Sequence, residues 1–308
     1  MKIVVLGSKG QLGCCLSDQL IKTKYDVVYL SRENFDVGDL GSLREKISLL
    51  KPNLVINASA YTAVDMAETN HQEANLINHV AVAKLADICE GLNAWLFHIS
   101  SDYVFDGTAV KPYSENSKTN PQSIYGESKL KGELAIISSG CKYIIIRTAW
   151  VFSEYGNNFL KTMLRLGAKH KELNIVDDQI GCPTYAQDIA KTIVLILSSI
   201  DLKKSTSGIF HYCGNQPCSW YDFANSIFIE AKAKGYKVPS TLNKVSSIEF
   251  KSLAPRPLFS VLNCSNIKAE FDIDPSYWID GIKDSIKRMS LDASSIKQTQ
   301  LIDKNKYD

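Results

Sequence analysis

Lys2-Ile3-Val4-Val5-Leu6-Gly7-Ser8-Lys9-Gly10-Gln11-Leu12-Gly13 opens the chain, and its reading decides the fold. The apolar run Ile3 to Leu6 suits a strand buried on both faces, and Leu12, Leu16 and Leu20 then recur at helical spacing. Between strand and helix, glycines let the backbone approach a pyrophosphate, and the helix start offers free N–H groups with a partial positive charge. The spacing is G-x-x-G-x-x-G, one residue longer than the usual dinucleotide fingerprint. Gly7, Gly10, Gln11, Leu12 and Gly13 are the nucleotide-contact candidates of this turn. A purely structural turn is the alternative, and the position directly after a strand favours nucleotide binding.

Working outward, further strand patterns stand at Asp26–Leu30, Leu54–Asn57, Trp95–Ser100 and Tyr143–Arg147, each followed by helical periodicity. Strands alternating with helices predict an α/β chain with a doubly wound parallel sheet of the Rossmann type. Residues 1–150 form the NAD(P)-binding domain in this reading, and a strand and helix near 173–198 return to it. A smaller C-terminal substrate-binding lobe spans 151–290, over the carboxyl ends of the strands, and 291–308 is a polar, frayed tail.

The 308 residues, 45% hydrophobic, are enough for one large core and a smaller lobe. Against 33 acidic residues, 35 basic ones leave a net charge of +2 with no basic stripe, so a small molecule is expected as partner and nucleic acid is not. Eight cysteines without a C-x-x-C pair argue against a disulfide framework or zinc site and for the reducing cytoplasm. No signal peptide is expected, because Ile3–Leu6 is short and runs straight into the glycines, and no apolar stretch is long enough for a membrane span.

Tyr125 and Lys129 stand four apart, one face of a helix apart by a single turn, with Ser100 and Ser101 upstream. An ammonium beside a phenol favours the phenolate; bringing an ordinary tyrosine from about pH 10 to neutrality takes about 4 kcal/mol of such preference. A solvated helix face carries the same spacing, and the glycine turn is what raises the chemical reading.

Together, the glycine turn and Tyr-x-x-x-Lys resemble the extended branch of the short-chain dehydrogenase/reductase superfamily. Seven runs narrow the resemblance: Asn57–Asp65, Ser100–Gly107, Tyr125–Lys129, Arg147–Val151, Gly156–Phe159, Asp178–Thr184 and Arg256-Pro257 look like those of the dTDP-4-dehydrorhamnose reductase family, in the same order across residues 1–290. The resemblance implies hydride transfer from NAD(P)H to the 4-keto carbon of a dTDP-6-deoxy-4-ketohexose, giving dTDP-L-rhamnose for surface polysaccharide. It implies that Tyr125 protonates the developing alkoxide, that Lys129 lowers the phenol and holds the nicotinamide ribose, and that Ser101 supplies a hydroxyl where threonine is common. Asp102 flanks that hydroxyl on the substrate side.

Cofactor choice is read at the end of the second strand, where Leu30-Ser31-Arg32 has no acid to exclude a 2′-phosphate. NADPH is favoured and NADH stays open, since Glu33 and Asp36 are alternative partners for Arg32. Asp39-Leu40 resembles the family's adenine-contacting step, with a helix N-cap as its other reading. Ala58, Ser59 and Ala60 are small enough for close passage of the cofactor, and Ala63 falls in the same segment. For the substrate, a nucleoside-diphosphate sugar, Trp150 matches a tryptophan near the sugar nucleotide, Arg256 between prolines is a diphosphate clamp, and Asn157, Asn158 and Gln179 are lining candidates. A homodimer is open. Some members of the family dimerise through a magnesium site, which is doubtful here because Cys15 stands where a glutamate is expected, and no metal is assigned. Two readings compete: a non-catalytic regulatory subunit of the methionine adenosyltransferase type, and a 4-ketoreductase or epimerase for another sugar nucleotide.

Overall fold

The computed structural model describes residues 1–199 and 207–304. From the amino terminus come β1 (Lys2–Leu6), α1 (Gln11–Leu20), β2 (Asp26–Leu30), α2 (Leu40–Leu50), β3 (Leu54–Asn57), α3 (Val64–Ala67), α4 (His71–Asn75), α5 (Ala81–Gly91), β4 (Trp95–Ser101), α6 (Ile124–Ser138) and β5 (Lys142–Thr148). A π-helical turn at Leu76–Val80 joins α4 to α5. The remainder is β6 (Val151–Phe152), α7 (Phe159–Lys169), β7 (Glu172–Val176), β8 (Ile180–Gly181), β9 (Thr184–Tyr185), α8 (Ala186–Ser199), β10 (Gly208–His211), β11 (Cys218–Ser219), α9 (Trp220–Ala233), β12 (Thr241–Val245), α10 (Ser247–Phe250), α11 (Ser265–Phe271) and α12 (Trp278–Lys304).

Six strands pair in parallel in the order β2-β1-β3-β4-β5-β10. The pleat of β1 divides its side chains: Ile3 and Val5 join Leu12 and Leu16 of α1 on one face, and Val4 and Leu6 join Leu43, Ile47 and Leu85 on the other. Each such fully buried aliphatic side chain contributes about 1.5–3 kcal/mol relative to exposure. A third core, with Phe152, Leu160, Phe223, Ile227, Trp278 and Ile282, belongs to the C-terminal lobe.

Two expectations for the second half are corrected. The strand near residue 173 does not return to the main sheet: β7 pairs in parallel with β12 in a separate two-stranded ribbon, and β10 takes the edge beside β5. The reason lies in its pattern, since Glu172 and Asn174, two apart on one face, are exposed, which a strand covered by helices on both faces could not tolerate. Helix α8 does return, packing along α1. The segment expected to be a tail carries helix through Lys304, continuing the α12 helix whose Trp278, Ile282 and Ile286 are anchored in the lobe core. Residues 305–308 lie outside the described residues.

Candidate active site

The strand order reverses between β1 and β3, and above this point lies a cleft of about 770 Å³. Gly7 has a φ of +75°, and a Cβ there would stand 2.8 Å from the Ala58 carbonyl oxygen, so a side chain would force the two loops apart. Gly10 is the N-cap of α1 and no side chain caps the helix, which leaves its first N–H groups open to an anion. Gln11, Leu12, Ala58, Ser59 and Ala60 also line this wall. Gly13 does not. A Cβ on it would lie 2.1 Å from the Gly7 carbonyl oxygen, so its role is to let α1 close onto the turn.

At the far end Ser31 and Arg32 line the cleft. Ser31 is buried and its N–H donates to Asn34 Oδ1 at 2.9 Å, shaping the bend after β2. Arg32 is 83% exposed and meets Glu73 at 3.4 Å, whereas Glu33 pairs with Lys9, so the expected Glu33 and Asp36 are not its partners. An exposed pair of this kind is worth at most about 1 kcal/mol, which leaves the guanidinium available to a phosphate. Asp39 and Leu40 do not reach the cleft. Asp39 caps α2, accepting from the backbone N–H groups of Gly41 and Ser42, and Leu40 packs against the core. Ala63 is likewise the N-cap position of α3 rather than a wall of the cleft.

Ser101, Asp102, Tyr125 and Lys129 come together in the middle. Ser123 caps α6, accepting from Gly126 N–H at 3.1 Å, and Glu68 of the α3 end accepts from Ile124 N–H at 2.9 Å, which fixes the turn that carries Tyr125. Gly126 lets that turn sit on the Tyr103 carbonyl, 2.2 Å from where a Cβ would be. Burial pushes the Tyr125 phenol up to about 12, with the neighbouring Ser101 hydroxyl acting against it. Lys129 is not directed at the phenol. Its ammonium donates to the Ile99 carbonyl at 2.6 Å, and burial draws it down to about 8 against the pull of Glu133. The expected lowering of the phenol by Lys129 is therefore not expressed in this arrangement, because desolvation outweighs a charge held elsewhere. Asp102 is raised to about 6 by burial, opposed by the nearby Ser260 hydroxyl and by Ser101, whose hydroxyl donates to Asp102 Oδ1 at 3.0 Å.

On the substrate side Trp150, with a left-handed φ of 48°, stacks on Trp220 at 3.5 Å between ring centroids and lines the cleft. Gly181 makes room for the indole, since a Cβ would lie 2.5 Å from it. Gln179 does not line the cleft; it accepts from Trp220 Nε1 at 3.1 Å and donates to Ser247, holding the second indole in place. Asn158 lines it, but its amide donates to Gln11 Oε1, Ser153 O and Tyr155 O while its oxygen caps α7. It braces the glycine turn and is not free for a ligand; Asn157 is exposed beside it. Arg256 reaches the cleft and is paired with Asp65 at 2.8 Å.

Sequence reasoning missed Tyr103, set edge-on against Tyr125 at 5.4 Å, Thr148, whose buried hydroxyl has no partner among the described residues, and Trp220. Tyr103 lay inside a quoted run and could have been found. Trp220 lies inside the Ser219–Asp222 capping box, which signals only a helix start.

Known proteins share the sequence and the fold of this chain. The family model described as the RmlD substrate binding domain matches residues 1–291. A dTDP-4-dehydrorhamnose reductase from Aggregatibacter actinomycetemcomitans is 39% identical over 286 residues, covering 92% of this chain and 97% of that protein. The crystal structure of a dTDP-4-dehydrorhamnose reductase from Clostridium acetobutylicum superposes with a TM-score of 0.87 at 36% identity, covering 94% of this chain and all of that one. The Bacillus anthracis enzyme of the same name, solved in complex with NADP, has a TM-score of 0.86 at 32% identity, covering 93% of this chain and 99% of that one.

Proposed function

The chain belongs to the RmlD substrate binding domain family, that of the dTDP-4-dehydrorhamnose reductases, and from this premise we propose that it works as one, reducing the 4-keto group of dTDP-4-dehydro-L-rhamnose to dTDP-L-rhamnose with NADPH. The single observation that carries the reading is the meeting of Tyr125 and Ser101 with Lys129 at the point where the glycine cradle opens into the aromatic wall of the cleft. The dinucleotide, when bound, supplies the hydride that C4 of the sugar gains. Tyr125 gives its phenolic proton to the carbonyl oxygen, so that the C=O bond becomes C–H and O–H. Its elevated pKa keeps it in the donating form at neutral pH. Ser101 orients the phenol and the carbonyl, and Lys129 holds the ribose hydroxyls.

Gly7, Gly10 and the uncapped start of α1 take the pyrophosphate, and Arg32 takes the 2′-phosphate. The Trp150–Trp220 stack is the surface for the sugar nucleotide, and Arg256 serves its diphosphate, which competes with Asp65 for the guanidinium. The same reading places the protein in the cytoplasm, leaves its oligomeric state open between monomer and homodimer, and leaves out nucleic acid. Among the described residues no helix is long and apolar enough to cross a membrane. Cys15, fully buried in the α1 core with its thiol pushed up by burial, is no ligand for a bridging magnesium ion.

The test is loss of NADPH absorbance against a panel of 4-keto-6-deoxy sugar nucleotides. Stoichiometric oxidation with dTDP-4-dehydro-L-rhamnose is the expected result. No oxidation with any member, or interconversion of sugars with the cofactor regenerated, would overturn the assignment.

A further inference from the structure

Behind Lys129 a buried polar chain runs from the cleft wall into the sheet. The backbone N–H of Ser59, a donor under all conditions, points at Asn57 Oδ1 across 3.1 Å. That contact fixes which end of the Asn57 amide is oxygen, so Nδ2 faces His98 Nδ1, also at 3.1 Å. An amide nitrogen only donates, so Nδ1 of His98 is the acceptor and a neutral ring carries its proton on Nε2. Burial and the nearby Lys129 charge hold His98 well below the ordinary histidine range, which keeps it neutral. Nε2–H then faces Lys129 Nζ across 3.5 Å, a donor against a donor.

We propose that His98 is a positioning residue that withholds an acceptor from Lys129. Of the three ammonium protons, one goes to the Ile99 carbonyl and none can go to His98, which leaves the others for ligand oxygens on the cleft side. The opposite tautomer would bind the ammonium through Nε2 and moor it to β4. Ser59 itself lines the cleft, so the hydrogen bonds that set the tautomer begin at the cofactor wall. The titratable groups facing this site are Tyr125 and Glu133 on α6, His98 on β4, Asp102 on the turn after it, and Arg147 on β5, whose charge Glu133 takes up at 2.6 Å. His79 of the π turn feels Lys131 instead. This inference rests on Lys129 holding the cofactor ribose and needs no assumption about the sugar.

Imidazole NMR on the full chain labelled in histidine reads the tautomer directly, with His98→Phe identifying the signals. The expected result is a neutral ring protonated on Nε2, with and without NADP+; an Nδ1-protonated ring or an imidazolium at neutral pH overturns the proposal. Asn57→Asp accepts a proton from Nδ1 and inverts the ring, so NADP+ affinity measured by calorimetry should fall about tenfold through one hydrogen bond diverted from the ligand. In the Asn57→Asp background, His98→Phe, which offers no acceptor, should recover NADP+ affinity relative to Asn57→Asp alone. If the loss persists undiminished in that double variant, the new carboxylate acts on the phosphates by charge alone and the proposal fails. Neither readout uses a ketosugar, so a failed reductase assignment and a failed tautomer assignment are told apart.

Discussion

The two walls of the cleft are made of different material. The dinucleotide wall is backbone: glycines that admit close approach, an uncapped helix start and small side chains after β3. The substrate wall is side chain upon side chain, with Gln179 holding Trp220, Trp220 stacking on Trp150, Asn158 bracing Gln11 and Asp65 holding Arg256. Backbone sites are written locally, in consecutive residues whose conformational needs are visible in their type. Side-chain sites are assembled from partners far apart in the chain, and no local pattern names both members.

Tyr125, the proton donor we propose, stands where the walls meet, and breaking it should give the largest effect. Tyr125→Phe removes the proton donor and should lower kcat about 10²–10⁴-fold with NADPH affinity nearly unchanged. Steady-state kinetics with separate cofactor binding checks it; kcat within tenfold of wild type would remove Tyr125 from that role.

The walls should also differ in their response to pH, because the buried titrating carboxyl, Asp102, belongs to the substrate side. Its pKa is raised from 3.8 to about 6 in the folded state, so the native protein binds the extra proton between those values and its stability falls as pH rises through that window. The full change corresponds to about 3 kcal/mol. Urea midpoints measured across the window should decline for wild type and stay level for Asp102→Asn; parallel slopes would show that burial does not govern this carboxyl.

What was legible follows the same division. The five strands β1 to β5 and the turn after β1 were read to within a residue at each end, because a buried parallel strand is an uninterrupted apolar run. The destination of β7 was not, since Leu173–Val176 is apolar enough for a strand and only Glu172, Asn174 and the partner β12 betray a half-exposed ribbon. Of the residues named from local spacing, Gly7, Gly10, Tyr125 and Lys129 line the cleft, whereas Asp39, Gln179 and Asn158 carry polar groups that the fold commits to capping and bracing. Which of two uses a polar side chain takes is decided by its neighbours in space.

Within the substrate wall, Arg256→Ala removes a charge-assisted contact and should weaken the nucleotide sugar by about 1.5–3 kcal/mol while sparing NADPH. Asp65→Asn sharpens the point: if the carboxylate competes with the diphosphate, this variant binds the nucleotide sugar more tightly than wild type by calorimetry. Equal weakening in both variants would make the pair a structural clasp. The smallest effect is expected at the far end of the dinucleotide wall, where Arg32→Ala should raise KM for NADPH about tenfold and leave KM for NADH in place. An equal rise for both cofactors would assign Arg32 to Glu73 alone.

The central claim is that the two walls bring a nicotinamide and the C4 carbonyl of a nucleotide sugar face to face, and isotope transfer tests it most directly. With NADPH carrying deuterium at the transferred position and dTDP-4-dehydro-L-rhamnose as substrate, the account predicts one deuterium on C4 of the dTDP-L-rhamnose formed, seen by NMR as the loss of that proton signal. A product with protium at C4, or with the label at another carbon, would contradict it.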